Sequence, residues 1–394
     1  MDRRNFLKST TLGSAGALLL AHQSKAGRDI NKRYKIIHSE LGNTGLKLPI
    51  INMGVMRSDN PNLVKAALRS GIVHLDSAHV YQGGQNEVML GKLLKEFDRN
   101  SFVISTKVKG DGMEPETGRF TSATSPDEFL KKFETSLERL QMEYVDIFYL
   151  HNVWARDAVL FEPLMKVMEQ IKKEGRARFI GVSTHRNEPE IIKAVTKSNF
   201  YDIVLTAVNY RQDHYREVKA AIAEAADKGI GVIGMKTMAG GFIDRERTKP
   251  VNAKAAIKFV LNDTQVHTTI PGFTTFTELD ESLSVMEDLI LSEEEIHSLD
   301  INKSQGSLYC DGCISCQREC QKKLPVPDIM RSYMYAYGYN QKKDAQHLLY
   351  SLNIPENPCS DCRDCVINCI KKFDIPGKIN DIIRLKDIPT EFLT

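Results

Sequence analysis

The first 309 residues of this 394-residue chain contain no cysteine, and all eight cysteines lie beyond them. Structural disulfides are therefore excluded from the larger part of the molecule. An excess of either charge is also lacking: 53 basic and 51 acidic residues leave a formal net charge of +2. No dense basic block with interleaved aromatics occurs, which argues against nucleic acid as a partner. A stable membrane span needs about 20 consecutive apolar residues, and the best candidate, Thr11 to Ala21, is too short and too glycine-rich. Finally, the first strand-like stretch is followed by Gly54-Val55-Met56-Arg57 rather than a G-x-G-x-x-G turn. That weighs against a doubly wound dinucleotide-binding sheet. A hydrophobic content of 42% suffices for one large domain and a smaller one.

Residues 1–26 read as a leader rather than as part of the fold. Arg3-Arg4-Asn5-Phe6-Leu7-Lys8 resembles a twin-arginine export signal, with Asp2 before the pair, and Ser24-x-Ala26 offers the small residues a signal peptidase reads. The resemblance implies export, to the periplasm, of a protein already folded around its cofactors.

Tyr34 to Leu48, with Gly42-Asn43-Thr44-Gly45 at its centre, predicts a β-hairpin that covers something, because an isolated hairpin is marginal in water. A strand–helix alternation then repeats eight times. The apolar strands are Ile50–Met53, Val73–Asp76, Phe102–Lys107, Val145–His151, Ala177–Ser183, Ile203–Asn209, Gly231–Lys236 and Val266–Pro271. Ser125-Pro126 with Glu128 is a helix start with proline at its first position, and Gly71, Gly175 and Gly229 stop helices just before strands. Eight such units predict an α/β fold, a (β/α)₈ TIM barrel over residues 34–300.

The barrel organises the chemistry. Active residues sit at the C-terminal strand ends, which here carry Asp76, Lys107 and His151, with Tyr81 in the loop just beyond Asp76. A phenol has a pKa near about 10. An adjacent ammonium favours phenolate and brings it toward a useful range. Lys107 can supply that charge if Asp76 pairs with it, and His151 can donate a hydrogen bond to a carbonyl oxygen. Such a site protonates the oxygen of a C=O as hydride reaches its carbon.

These residues lie in a pattern that resembles the aldo/keto reductase family. The matching pieces are Leu41-Gly-Asn-Thr-Gly-Leu46, Asp76-Ser77-Ala78-His79-Val80-Tyr81, Gly83-Gly84-Gln85-Asn86-Glu87 with Leu90-Gly91, Ser105-Thr106-Lys107 and Asp146 to His151. Later come Gly175 to Ser183, Gly231 to Lys236 and Ile270-Pro271-Gly272. The resemblance implies that Tyr81 is the general acid, that Lys107 and Asp76 tune it, and that His151 orients the carbonyl. It also implies a nicotinamide cofactor, NAD or NADP, across the barrel mouth. Its expected contacts are Ser183, Asn209, Lys236, Pro271, Gly272 and Thr274.

Two departures bear on that cofactor. Family members that grip the 2′-phosphate of NADP usually place arginine where this chain has Glu278 and asparagine where it has Ser282. A polyanion gains nothing from Glu278 or Asp280. Position 205, often glutamine, is Leu205.

Residues 301–394 change character. Cys310-x₂-Cys313-x₂-Cys316-x₃-Cys320 is repeated in spacing by Cys359-x₂-Cys362-x₂-Cys365-x₃-Cys369. Two matched runs point to a pair of [4Fe-4S] clusters, with zinc and disulfides as the alternatives. The runs resemble those of bacterial two-cluster ferredoxins, in which the fourth cysteine of each run serves the other cluster. The resemblance implies a small, mostly helical, ferredoxin-like iron–sulfur domain. The proline that usually follows the fourth cysteine is replaced by Gln321 and Ile370.

The sequence thus predicts an exported iron–sulfur aldo/keto reductase. It would exchange hydride between a nicotinamide cofactor and a small carbonyl or alcohol substrate, and pass electrons to a partner protein. A redox scaffold with a prebound nucleotide or none, and a non-catalytic binding module, are the alternative readings.

Overall fold

The computed structural model describes residues 34–393 apart from 245–247, 263–264, 300–308, 311, 313–314, 357, 360–361, 363–364 and 370. The expected leader, residues 1–26, lies outside the described residues. Residues Lys35–Thr394 form one compact unit.

The hairpin forms as expected. Strands β1 (His38–Glu40) and β2 (Lys47–Pro49) pair antiparallel around a 3₁₀ turn at Gly42–Thr44. It closes one end of the barrel: Leu41, Leu46 and Leu48 are buried against Ile147, Ile203, Leu205 and Ile233. Glycine is required at Gly42, with φ of 51°, because a Cβ there would overlap the backbone of Gly229 and Gly231. The plug is held by its own hydrogen bonds, Thr44 Oγ1 donating to the Leu41 carbonyl at 2.7 Å, and by the barrel end it covers.

Eight parallel strands follow in sequence order: β3 (Met53–Gly54), β4 (His74–Asp76), β5 (Val103–Val108), β6 (Val145–Leu150), β7 (Ala177–Thr184), β8 (Ile203–Ala207), β9 (Gly231–Met235) and β10 (Thr268–Thr269). A parallel bridge between Ile51 and Thr269 joins the last strand to the first, so the sheet closes. The central strands are buried along their length, as strands with helices outside and a packed interior must be.

Helices cover the outside. Ser125 caps the helix Pro126–Leu140 by accepting from the Glu128 amide, and Phe129, Phe133, Leu137 and Leu140 form its buried face. The helix Gln85–Leu93 packs on it through Gly91, whose missing Cβ leaves room for the carbonyls of Arg139 and Leu140. Gly91→Ala should lower stability by about 1–3 kcal/mol through overpacking, although alanine is the better helix former by about 1 kcal/mol. A denaturant midpoint equal to or above that of the wild type would contradict this packing.

The C-terminal stretch is helical, as expected, with Val326–Tyr333, a π-helical turn at Met334–Gly338, Lys342–Ser351 and Ile375–Ile383. It has its own apolar core, including Val326, Ile329, Met330, Ala345, Leu349, Ile375 and Ile379. It is not a separate ferredoxin-like domain: it belongs to the same compact unit as the barrel and roofs the barrel mouth.

The iron–sulfur expectation is corrected here. Among the described residues no group of three or more His, Cys, Asp or Glu is placed to hold a metal ion. The two [4Fe-4S] clusters expected on Cys310, Cys313, Cys316, Cys320, Cys359, Cys362, Cys365 and Cys369 are therefore overturned, and with them the expected electron transfer to a partner. Cys313 lies outside the described residues. Cys316 is buried in the apolar core of the cap, with Cys310, Cys320, Cys359 and Cys369 packed at its edge, while Cys365 is exposed. Burial, with the neighbouring Cys362, Cys320 and Cys365, pushes the Cys359 thiol up. A protonated thiol in apolar surroundings is a small hydrophobe rather than a metal ligand. Matched spacing fixes intervals along the chain, but not a ligand set in space.

Candidate active site

Asp76, Tyr81, Lys107 and His151 line one cavity of about 1140 Å³ at the barrel mouth, beneath the C-terminal helices. The convergence expected of them occurs. Ser105 and Lys107 are two apart on β5 and so project to the same side of the sheet, and both reach Asp76. One Asp76 oxygen accepts from Ser105 Oγ at 2.6 Å, the other from Lys107 Nζ at 2.6 Å. Lys107 also donates to the Ser77 carbonyl and lies 3.3 Å from the Tyr81 hydroxyl. Asp76 and Lys107 are buried as a pair. Such a pair is tolerated where further hydrogen bonds complete it, as Ser105 and the Ser77 carbonyl do here.

The electrostatics differ from expectation in one respect. Enclosure, and then the Asp76 charge, hold the Tyr81 phenol well above its ordinary value instead of lowering it. The Asp76 carboxylate sits against the ammonium and offsets its pull. Burial also lowers the Lys107 ammonium, with Asp76 opposing. Tyr81 is accordingly a neutral hydroxyl that accepts from Lys107 and keeps its proton to give away. His151 is neutral too. Burial, and then the charges of Lys107, Lys109, Arg331 and Lys236, hold it well below its ordinary value. Its ring stands edge-on to Tyr81, with centroids 6.1 Å apart.

The loop bearing Tyr81 is held from behind by the Gly83-to-Glu87 motif. Asn86 donates to the carbonyls of Val55 and Ser58 and accepts from Ser77 Oγ at 2.6 Å. Buried Glu87 accepts from Thr106 Oγ1 at 2.6 Å and pairs with Arg139, which donates to the His79 carbonyl at 2.9 Å. A side chain at Gly84, with φ of 91°, would overlap Arg139. These residues position the Tyr81 loop without reaching the cavity themselves.

Sequence reasoning missed His74. It is buried on β4, and its Nε2 lies 2.9 Å from Ser105 Oγ, extending the chain Tyr81–Lys107–Asp76–Ser105 inward. Its place two residues before Asp76, on the same side of the strand, was the available signal. Burial lowers its pKa from 6.5 to about 4. The folded state therefore refuses a proton that the unfolded chain accepts below about 6.5. His74 costs nothing above that pH, and stability falls between about 6.5 and about 4. The loss at pH 5 is on the order of 2 kcal/mol from this group. Urea unfolding at pH 7 and pH 5 should show a smaller decrement in His74→Gln than in the wild type. Equal decrements would contradict the assignment.

Of the expected cofactor contacts, Ser183, Lys236, Pro271 and Gly272 line the cavity. Asn209 and Thr274 do not. Asn209 is taken up locally, its amide donating to Gln212 and its side-chain oxygen accepting from Arg211. The Thr274 amide and hydroxyl both donate to Glu278, at 2.6 and 2.8 Å. A residue of the cavity wall that the sequence did not suggest is Asn152, whose side-chain oxygen is buried without a partner among the described residues. Its amide donates to Ser183 Oγ at 2.9 Å.

The cap is locked on by an ion pair. Arg186, after β7, donates to both oxygens of Asp328 at 3.0 and 2.9 Å, and Arg331 donates to the same carboxylate at 3.0 Å. The Arg186 guanidinium stacks 3.6 Å from the Trp154 ring centroid. None of this was legible from the sequence.

The comparisons agree with this geometry. A model described as "Aldo/keto reductase family" matches residues 47–255, more than half of the chain. L-galactose dehydrogenase of Arabidopsis thaliana is 28% identical over 230 residues, 54% of this chain and 68% of that protein. Aldo-keto reductase AFTS1 of Alternaria alternata is 26% identical over 275 residues, 59% of this chain and 75% of that protein. Among solved structures, the holo form of aldo-keto reductase AKR11C1 from Bacillus halodurans superposes with a TM-score of 0.53 at 22% identity. It covers 67% of this chain and 95% of its own, and so supports the fold. The matched stretch carries the strands, the buried acid–lysine pair, the tyrosine and the histidine together, and the chain belongs to the aldo/keto reductase family, as an oxidoreductase of that type.

Proposed function

We propose that the protein reduces a small carbonyl, or oxidises the corresponding alcohol, with Tyr81, Lys107, Asp76 and His151 as its catalytic group. The observation that carries this reading is the Lys107 ammonium held between Asp76 and the Tyr81 hydroxyl at the open end of the barrel. A substrate oxygen placed between Tyr81 and His151 receives the Tyr81 proton. Lys107 remains hydrogen-bonded to the phenolate that results, and Asp76 with Ser105 keeps the ammonium in place. In the oxidative direction the same oxygen takes the proton back.

The unpartnered Asn152 oxygen fits a nicotinamide carboxamide, and Ser183, Lys236, Pro271 and Gly272 would hold the rest of the nucleotide. A bound nicotinamide would supply or accept hydride at the substrate carbon. Titration of the full chain with NADH and NADPH, followed by nucleotide oxidation on addition of a small aldehyde, tests the proposal. No nucleotide binding would refute it.

Cofactor choice is open to a separate prediction. Glu278 occupies the N-terminus of the helix Phe276–Ser284 with its own carboxylate, in a capping box with Thr275. A 2′-phosphate would meet that charge instead of free amides. NADP should bind no better than NAD, and Glu278→Arg should improve NADP selectively. A tight wild-type preference for NADP in equilibrium titration would contradict it.

A further inference from the structure

The cavity holds more positive charge than the proposed reaction uses. Lys109 at the mouth end of β5, Lys236 just after β9 and Arg331 from the cap helix all line it. Among the described residues neither ammonium has a carboxylate within ion-pair distance. The acids facing the two ammonium groups are engaged elsewhere: Asp111 with Lys132, Glu188 with His214, and Asp328 with both Arg186 and Arg331. Asp344, in the same cavity wall, faces His347 and Arg57. Two guanidiniums thus share one carboxylate beside two unpaired ammonium groups. Burial, opposed by Asp328, lowers Lys109, and burial with the charge of Arg331 lowers Lys236. Cations gathered in an enclosed site either shed protons or are met by an anion. Arg331 adds a planar guanidinium whose forked donors match a carboxylate.

Resting on the reading above, we infer that the substrate carries a carboxylate in addition to the reacting oxygen, bound by Lys109 and Arg331 while Tyr81 and His151 hold that oxygen. The two anchors come from different parts of the fold, the barrel and the cap, so the subsite is complete only with the cap in place. The carboxylate is unchanged by the reaction. It orients the carbonyl and rejects neutral analogues, which would leave the cations unpaired.

The test compares 4-carboxybenzaldehyde with methyl 4-formylbenzoate, two aldehydes differing in that charge. With the full chain, kcat/KM should favour the acid by at least about tenfold, as one charge-assisted hydrogen bond supplies. In Lys109→Met the ratio should fall to about one, through a rise in KM for the acid. Arg331→Met should act alike and Arg331→Lys should restore part of the preference. Lys109 makes no hydrogen bond among the described residues, so its replacement keeps the test valid if Arg331 variants loosen the cap. A wild-type ratio near one, or a preference that survives Lys109→Met, would overturn the inference. If neither aldehyde is turned over, the proposed reaction fails but the subsite does not go undecided. Calorimetry would then need to show 4-(hydroxymethyl)benzoate binding at least about tenfold tighter than its amide, with that difference lost in Lys109→Met, and equal binding would overturn the inference. So would a Lys109→Met protein that loses affinity for NADH while keeping the acid preference, because the cations would then serve the nucleotide phosphates.

Discussion

Tyr81→Phe should lower kcat/KM for carbonyl reduction by at least about 10²-fold, with the nucleotide dissociation constant unchanged. The substitution keeps the ring, its edge-on contact with His151 and its position near the Lys107 ammonium. It removes only the hydroxyl that Lys107 reaches at 3.3 Å. Because enclosure and Asp76 keep that hydroxyl protonated, its loss is the loss of a proton donor and should appear in kcat. The pH profile carries a second sign. A neutral acid with a raised pKa stays competent through neutral pH, so reduction should not fall as pH rises from 6 to 8 through titration of Tyr81. Steady-state kinetics of the variant with near-wild-type turnover would remove Tyr81 from the mechanism.

Asp328→Ala should cost about 3–5 kcal/mol of stability, the range for breaking a buried pair and stranding its partner. Here one carboxylate answers two guanidiniums, Arg186 and Arg331, and the side chains of Arg186 and Asp328 are 1% and 4% exposed. Two further Arg186 nitrogens already lack partners among the described residues, so stacking on Trp154 cannot replace the lost bonds. The loss should be seen as a lower unfolding midpoint and as faster proteolysis within the C-terminal helices, because this pair ties them to the barrel. Glu162→Ala, which breaks the exposed pair with Lys166, should leave the midpoint in place. Equal behaviour of the two variants would show that the cap is held by its apolar contacts alone.

The barrel was legible because period and punctuation agreed. Each expected strand carries a short apolar run, and the glycines at 71, 175 and 229 stop helices in left-handed conformations where expected. The convergence of Asp76, Tyr81, Lys107 and His151 was legible because strand ends are where a barrel places its chemistry. Contacts of long sequence separation were not. Arg186 meets Asp328 across 142 residues, and nothing local marks either as a partner. The cysteine runs failed for a related reason: two equal spacings describe the chain, while the fold puts Cys316 into an apolar core and leaves Cys365 exposed. The Tyr81 shift was misjudged because enclosure, which raises a phenol, was left out, and because Asp76 was counted only as the partner that fixes Lys107 and not as a charge that itself raises the phenol. Thr274 and Asn209 were inferred from resemblance and lie off the cavity wall, with the Thr274 amide and hydroxyl bonded to Glu278 and the Asn209 side-chain oxygen accepting from Arg211.

The most direct test of the account is isotope transfer from the reduced nucleotide. Full-length protein would be given NADH deuterated at C4 of the nicotinamide, stereospecifically in two separate preparations, with a small aldehyde. The account predicts deuterium at the carbinol carbon of the product from one preparation only, and transfer lost together with turnover in Tyr81→Phe. Alcohol formed without deuterium from either preparation, or transfer undiminished in Tyr81→Phe, would contradict it.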